Sequence, residues 1–219
     1  WTFLLTHAYG ITESPENILF NGIQNIHSRD AETAAARKQE IKLVAQAKKL
    51  KNGNVAAFVL PQFINQDDHL AFVKNEYNGV VIESGFADKQ FFYGKGAGSF
   101  PTASAVLSDI SALRYGYKYE YKKLYHHQPH ELTDDFFLNV YISFDDIEAV
   151  PKEKFEWIEE WHAQEGRKYL SGVIAFSKLK SSNWWKENGI SLILLPDPVI
   201  EEVASKKIKK KSLELAGIL

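Results

Sequence analysis

The chain has 219 residues, of which 45% are hydrophobic and 25% are charged, and its formal net charge is −2. This length suffices for one large or two modest domains, and the composition is ordinary for a globular protein. The small net charge gives no electrostatic reason to expect a nucleic-acid partner, and no apolar run reaches the roughly 18–20 residues of a membrane span. The chain contains no cysteine, which excludes disulfides and thiol catalysis and fits a cytoplasmic enzyme. It also lacks methionine, which indicates a piece of a longer protein.

The first 65 residues predict helices followed by a pair of strands. Residues 1–10 have the composition of an apolar helix that stops at Gly10, and Ser14 with Pro15 predicts the start of a short helix over residues 16–22. Residues 30–38 are rich in helix-forming side chains. Residues 41–47 and 55–60 then predict two paired strands around the turn at 51–54, with Pro61 ending the second strand.

Residues 69–106 predict a helical turn, a hairpin and a glycine-rich loop. The turn covers residues 69–73, and the hairpin pairs residues 78–84 with 90–93 around a turn at 85–88. The loop has glycine at positions 94, 96 and 98. Ser99 can cap a following helix, and Pro101 suits its first turn. A strand, a glycine loop and a helix N-terminus together suit an anionic or strongly polar ligand.

Two familiar phosphate-binding motifs do not fit this loop. A dinucleotide fingerprint needs glycine where this chain has Ser99, and a Walker A loop needs a Gly-Lys-Ser/Thr sequence that is absent here. The apolar residues after the loop fall at helical spacing, which predicts that a helix follows it. These residues are Ala105, Val106, Ile110 and Leu113.

The second half begins after a segment rich in Tyr, Lys and His at residues 116–135, which predicts a linker. Beyond it the pattern predicts alternating strands and helices, and hence a small ferredoxin-like α/β sandwich. The predicted elements are a strand at 136–144, a helix at 152–165, a strand at 168–178, a short helix at 181–188 and a strand at 190–195. The first half, by contrast, predicts an α+β unit with a mixed, mostly antiparallel sheet and helices on one face.

Residues 94–106 with Asp109 resemble the late signature of homoserine dehydrogenases. Upstream segments resemble the same family in the same order, namely residues 4–10, 18–26, 41–43 and 78–81. The resemblance covers residues 1 to about 115, roughly half of the chain. Residues 136–219 resemble the ACT-like regulatory modules that some members carry, although the loop at 144–150 is acidic and lacks the glycine usual there.

The resemblance implies three segments: a partial substrate and dimerisation domain at 1–115, a linker at 116–135 and an ACT-like domain at 136–219. It implies NADP- or NAD-dependent interconversion of L-homoserine and L-aspartate 4-semialdehyde by a cytoplasmic homodimer. The family's catalytic lysine would stand just before Trp1, so we name no catalytic residue and no metal ligand in this chain. The residues that the resemblance places at the cofactor are Gly94, Gly96, Ala97, Gly98, Pro101 and Thr102.

Several alternatives stay open at this point. The chain could instead be a non-catalytic module for dimerisation or effector sensing, in which case the chain itself would cover the glycine loop. Lys95 could face a phosphate or solvent. His7 is more simply a helix-end residue than a general base, and the histidines at 126, 127 and 130 are more simply part of a linker than a metal site. The basic run at 206–211 is more simply a solvated helix face than a nucleic-acid patch.

Overall fold

The computed structural model describes residues 1–120, 122–125, 130–164 and 166–202. His126, His127 and the basic run at 206–211 lie outside these residues. The helices are α1 (Thr2–Tyr9), α2 (Ser28–Ala36), α3 (Ser99–Arg114) and α4 (Phe176–Lys180). The strands are β1 (Leu19–Phe20), β2 (Gln39–Lys49), β3 (Val55–Asn65), β4 (Tyr77–Ser84), β5 (Asp88–Lys95), β6 (Phe137–Phe144), β7 (Phe155–Gln164), β8 (Arg167–Ala175) and β9 (Ile190–Ile200). No helix among the described residues is both long and apolar enough to cross a bilayer.

Seven of these strands form one sheet in the order β3-β9-β6-β8-β7, with β1 and β2 both joined to β3. β1 and β9 run parallel to β3, and the other pairs are antiparallel. β2 pairs with β3 along its whole length, whereas β9 meets β3 only at the pair Gln62 and Leu194. The sheet is mixed and mostly antiparallel, as predicted, but it joins strands of both halves, whereas the sequence predicted it within the first half alone.

The two faces of this sheet are covered by different helices. On one face, buried apolar side chains from β3, β6, β8 and β9 pack with Phe176 and Leu179 of α4 and with Trp185. On the other face, α1 packs against Val55 and Ala57 of β3, and α2 contributes Ala34 to a cluster around Phe63. The strand period of two produces this division, because alternate β3 residues point to opposite faces.

Most predicted elements of the first half are confirmed. α1 ends at Gly10, whose φ of 73° is left-handed, and an added Cβ there would lie 2.5 Å from the Lys123 carbonyl oxygen. The helix predicted at 16–22 is wrong, since only one 3-10 turn, Pro15–Asn17, precedes β1. Pro61 does not end its strand either. It lies where β1 has stopped pairing with β3 at Val59 and β9 has not yet joined, so its missing N–H leaves no neighbour unpaired on that side.

In the second half, the helix predicted at 152–165 is wrong, because residues 152–164 form one 3-10 turn, Lys152–Lys154, and strand β7. Two irregularities in the β7–β8 register, between Phe155 and Trp157 and between Ile158 and Glu160, add extra residues to the strand. Phe155, Ile158 and Trp161 consequently all pack on the same core. A spacing of three in sequence is close to a helical period and differs from the alternation of a regular strand.

The strands of the second half stand in the order β9-β6-β8-β7, all antiparallel. This set matches the four strands of a ferredoxin-like unit, with the first helix reduced to the 3-10 turns Ile147–Ala149 and Lys152–Lys154. The ACT-like assignment and the domain division at 116–135 stay predictions. The main sheet and its largest core nevertheless draw residues from both sides of that division.

Candidate functional site

The glycine loop connects a hairpin to the longest helix. β4 and β5 pair from Tyr77 and Lys95 to Ser84 and Asp88, which confirms the predicted hairpin. The two strands form a separate sheet, stiffened by the rings of Tyr77 and Tyr93, which stack with centroids 4.7 Å apart. The chain then leaves β5 at Lys95 and enters α3 at Ser99.

The start of α3 differs in detail from the prediction. Gly98, not Ser99, is the N-cap residue, and its φ of 118° is a value that favours glycine. No side chain caps the helix, so the backbone N–H groups of its first turn are not occupied by a capping group. The Thr102 hydroxyl donates to the Gly98 carbonyl oxygen at 2.8 Å and stabilises the first turn.

An open cleft of about 650 Å³ lies at this helix start. Of the predicted site residues, Ala97, Gly98 and Pro101 line the cleft, while Gly94, Gly96 and Thr102 are not among its lining residues. The other lining residues are Glu76, Lys95, Ser99, Phe100 and Ser104. The sequence had drawn attention to Lys95 and Ser99, though not as cofactor-binding residues, and had given no role to Glu76. Glu76 could have been found from the hairpin register, because pairing of Tyr77 with Lys95 brings the preceding residue beside the loop.

Lys95 is the cation of the cleft, and its charge is already paired. Its Nζ lies 2.9 Å from Glu76 Oε1 and 5.2 Å from the centre of the Tyr77 ring. The hydrogen bond between Lys95 and Glu76 raises the pKa of Lys95 and lowers the pKa of Glu76. Both side chains are about half exposed, so the pair is an exchangeable surface ion pair and leaves the cleft nearly neutral.

The glycines of the loop differ in what a side chain would meet. An added Cβ at Gly96 would collide with the amide nitrogen of the Asn78 side chain, whereas nothing lies near the corresponding position at Gly94. Gly98 is constrained by its backbone angle. Of the small residues in this loop, Ala97 and Gly98 line the cleft, and they leave the backbone there open to a ligand.

α3 lies exposed behind the cleft. None of its residues is buried, and Phe100, Leu107 and Leu113 are between 65% and 88% exposed. Helix stability in proteins comes mostly from packing of an apolar face, and α3 has such residues without a neighbour to cover them in the described part of the chain. The glycine loop is therefore open in this chain.

The other polar candidates have structural contacts. The His7 ring packs edge-on against Tyr119, and its Nε2 contacts the Tyr119 hydroxyl. His130 Nδ1 lies 2.9 Å from the Gly53 carbonyl oxygen. The described residues contain no group of three or more His, Asp or Glu side chains that could hold a metal ion.

The protein-family model of homoserine dehydrogenase matches residues 1–111. The homoserine dehydrogenase of Lactococcus lactis subsp. lactis is 38% identical over 103 residues, which cover 47% of this chain and 24% of the relative. That of Corynebacterium glutamicum is 34% identical over 111 residues, 49% of this chain and 25% of the relative. The chain thus aligns to about a quarter of the length of these curated relatives.

Solved structures agree in fold over a longer stretch. A homoserine dehydrogenase from Thiobacillus denitrificans superimposes with a TM-score of 0.64 at 20% identity, covering 90% of this chain and 51% of that one. A Staphylococcus aureus homoserine dehydrogenase gives 0.54 at 24% identity, with 90% and 50% covered. The structural match extends past residue 111, so the second half also has a counterpart in these folds. With the family model covering half of the chain, and the loop and helix of its signature in place, the chain belongs to the homoserine dehydrogenase family.

Proposed function

We propose that this chain is the substrate-domain half of a homoserine dehydrogenase, followed by an ACT-like extension. The parent enzyme would interconvert L-homoserine and L-aspartate 4-semialdehyde with NADP or NAD, in the cytoplasmic synthesis of threonine and methionine. We expect the 219-residue chain alone to show no turnover, because it aligns to only about a quarter of its relatives' length.

The open glycine loop is the observation that carries this proposal. A non-catalytic module would cover the loop with its own chain, but residues 94–100 are exposed and α3 has no buried residue. Exposed apolar surface of this kind marks a surface that another unit covers. A nucleotide-binding unit facing the loop would cover it and close the cleft.

The loop residues fit the nicotinamide end of such a cofactor. The first turn of α3 has no capping side chain, and the adjoining wall consists of Gly98 and Ala97. When bound, the nicotinamide supplies the hydride acceptor. In this proposal the backbone of Gly94, Gly96, Ala97 and Gly98 approaches the ring, while Pro101 and Thr102 hold the start of the helix. No described residue is assigned proton transfer.

We assign no effector to the acidic loop after β6. Asp145 is paired with Arg29, and the Asp146 carboxylate accepts from the Glu148 N–H at 3.0 Å. Both carboxylates therefore have structural partners. The family resemblance further supports a homodimer, which we expect to form through the exposed surfaces of β2 and β4.

A chimera tests the proposed function directly. Residues 1–111 would replace the corresponding segment of the L. lactis homoserine dehydrogenase, which supplies the rest of the enzyme. We expect homoserine-dependent nicotinamide reduction in this chimera and a weaker affinity for the cofactor after Gly96→Val. Gly85→Val is the matched control, because Gly85 lies in the hairpin turn and an added Cβ there meets nothing within 4 Å.

The controls separate folding from function. Thermal melts of each variant show whether the protein is folded before its affinity is compared. A folded chimera without turnover would contradict the proposed function. Unchanged cofactor affinity in a folded Gly96→Val chimera would remove the loop from the site.

A further inference from the structure

Besides the apolar packing of Ala34, helix α2 contacts the second half of the chain through one polar stripe. Arg29, Thr33 and Arg37 follow one another at intervals of four residues, which places them on one side of the helix and its C-terminal end. All three contact residues of β6, β7 or the loops beside them, more than 100 positions away in sequence. The stripe therefore joins the family-matching half to the C-terminal strands.

The first end of the stripe is a charged cluster. The Arg29 guanidinium forms an ion pair with the Asp145 carboxylate, and it also donates to Ser143 Oγ and to the Gly189 carbonyl oxygen, each at 3.3 Å. The hydrogen bond from Arg29 holds the pKa of Asp145 below its usual range. The Asp145 side chain is 64% exposed, so water and salt reach this pair.

The rest of the stripe is also polar. The Thr33 hydroxyl lies 3.5 Å from the Tyr141 hydroxyl, at the limit of a hydrogen bond. Arg37 pairs with Glu160 at 3.0 Å, and its guanidinium carbon lies 5.6 Å from the centre of the Tyr141 ring. Salt screens interactions of these kinds when they are exposed, and exposed ion pairs contribute little each.

Beneath α2 the packing is incomplete. A cavity of about 280 Å³, partly open to solvent, lies where the helix meets the sheet, with Thr33, Tyr141, Lys168 and Tyr169 in its wall. Ala34 is the only buried apolar residue of α2. The opposite face of the same strands, by contrast, is covered by a large apolar core.

We propose that α2 is a strap, held on the C-terminal sheet by its ion pairs, which opens as a unit while the sheet stays folded. Opening exposes Tyr141 and Tyr169, which are buried in the wall of the cavity, and it loosens the link between the C-terminal strands and β2, which follows α2 directly in the chain. The physical reason is the asymmetry of the two faces. Salt weakens the polar contacts of α2 but leaves the apolar core on the other face intact.

Hydrogen exchange of the full 219-residue chain tests the strap. We expect Asp145→Asn to speed exchange of the α2 amides about two- to fivefold, with the β6 amides unchanged, consistent with the loss of an exposed ion pair. In the unaltered chain, about 1 M salt should have a similar effect on α2, and it should add little in Asp145→Asn. Glu156→Gln is the matched control, since it removes the Lys178–Glu156 pair of 2.7 Å, which does not touch α2.

Two results would overturn the strap. One is α2 exchange that responds neither to salt nor to Asp145→Asn. The other is exchange in α2 and β6 that rises together, which would mean global unfolding. If Asp145→Asn does not fold, Glu160→Gln at the other end of the stripe and the salt series on the unaltered chain decide the question.

Discussion

Replacing Phe58 by alanine tests whether the two halves of the chain fold as one unit. Phe58 lies on β3, in the family-matching half, and is fully buried. Its ring centroid is 6.2 Å from those of Phe136 and Phe176, which belong to the second half. Removing the ring therefore leaves a cavity bordered by residues on both sides of the predicted linker.

The expected cost is about 3–5 kcal/mol, the usual range for a buried phenylalanine truncated to alanine. With a urea dependence of roughly 2–3 kcal/mol/M, the midpoint of unfolding should fall by about 1.5 M. Tryptophan fluorescence is a suitable probe, because the second half contains most of the five tryptophans. The four tryptophans of the second half are Trp157, Trp161, Trp184 and Trp185.

In Phe58→Ala we expect the tryptophan signal to show a single unfolding transition, with its midpoint shifted to lower urea concentration. Phe86→Ala is the matched control, because Phe86 is in the same half, fully exposed in the hairpin turn. It should change stability by less than about 0.5 kcal/mol. If the tryptophan transition of Phe58→Ala stays where it is in the unaltered chain, the halves unfold independently and the shared core does not couple them.

Three further predictions follow from particular residues. Burial raises the pKa of Tyr141 to about 12, so the stability that its neutral hydroxyl contributes is present below pH 10 and is lost as the pH rises towards 12. Tyr141→Phe should therefore flatten the fall of the melting temperature between pH 10 and 12. An unchanged slope in that variant would refute the assignment. Gly10→Ala combines a left-handed φ with a contact of 2.5 Å to the Lys123 carbonyl oxygen and should cost about 2–3 kcal/mol in urea titrations. Gly53 has a similar φ of 91°, but an added Cβ there meets nothing within 4 Å, so Gly53→Ala should lower the free energy of unfolding by less. Equal losses of stability in the two variants would argue against the contact at Gly10. Sedimentation at micromolar concentration should show a dimer, and a clean monomer would contradict the proposed interface.

Local chemistry made several features predictable. Gly10 and the turn at 85–88 were each predicted to end a regular element, and the structure has a helix end at the first and a hairpin turn at the second. The glycine loop and the helix after it are confirmed for the same reason, because φ preferences and helical spacing depend on neighbours in sequence. The cleft was only partly predictable, since Glu76 reaches it through strand pairing.

The sequence by itself determined the family, the paired strands β2 and β3, the hairpin and, to within one residue, the start of α3, because each depends on residues close together in the chain. The tertiary structure alone decided that β7 is a strand, that β9 joins β3, and that Arg29 pairs with Asp145. These features depend on pairings between residues distant in sequence. In β7 the irregular register replaces the alternation typical of a strand with a spacing close to that of a helix, since its inward residues recur every three positions. A local period identifies a strand only where the strand is regular. Whether a strand is regular depends on its pairing with the neighbouring strand.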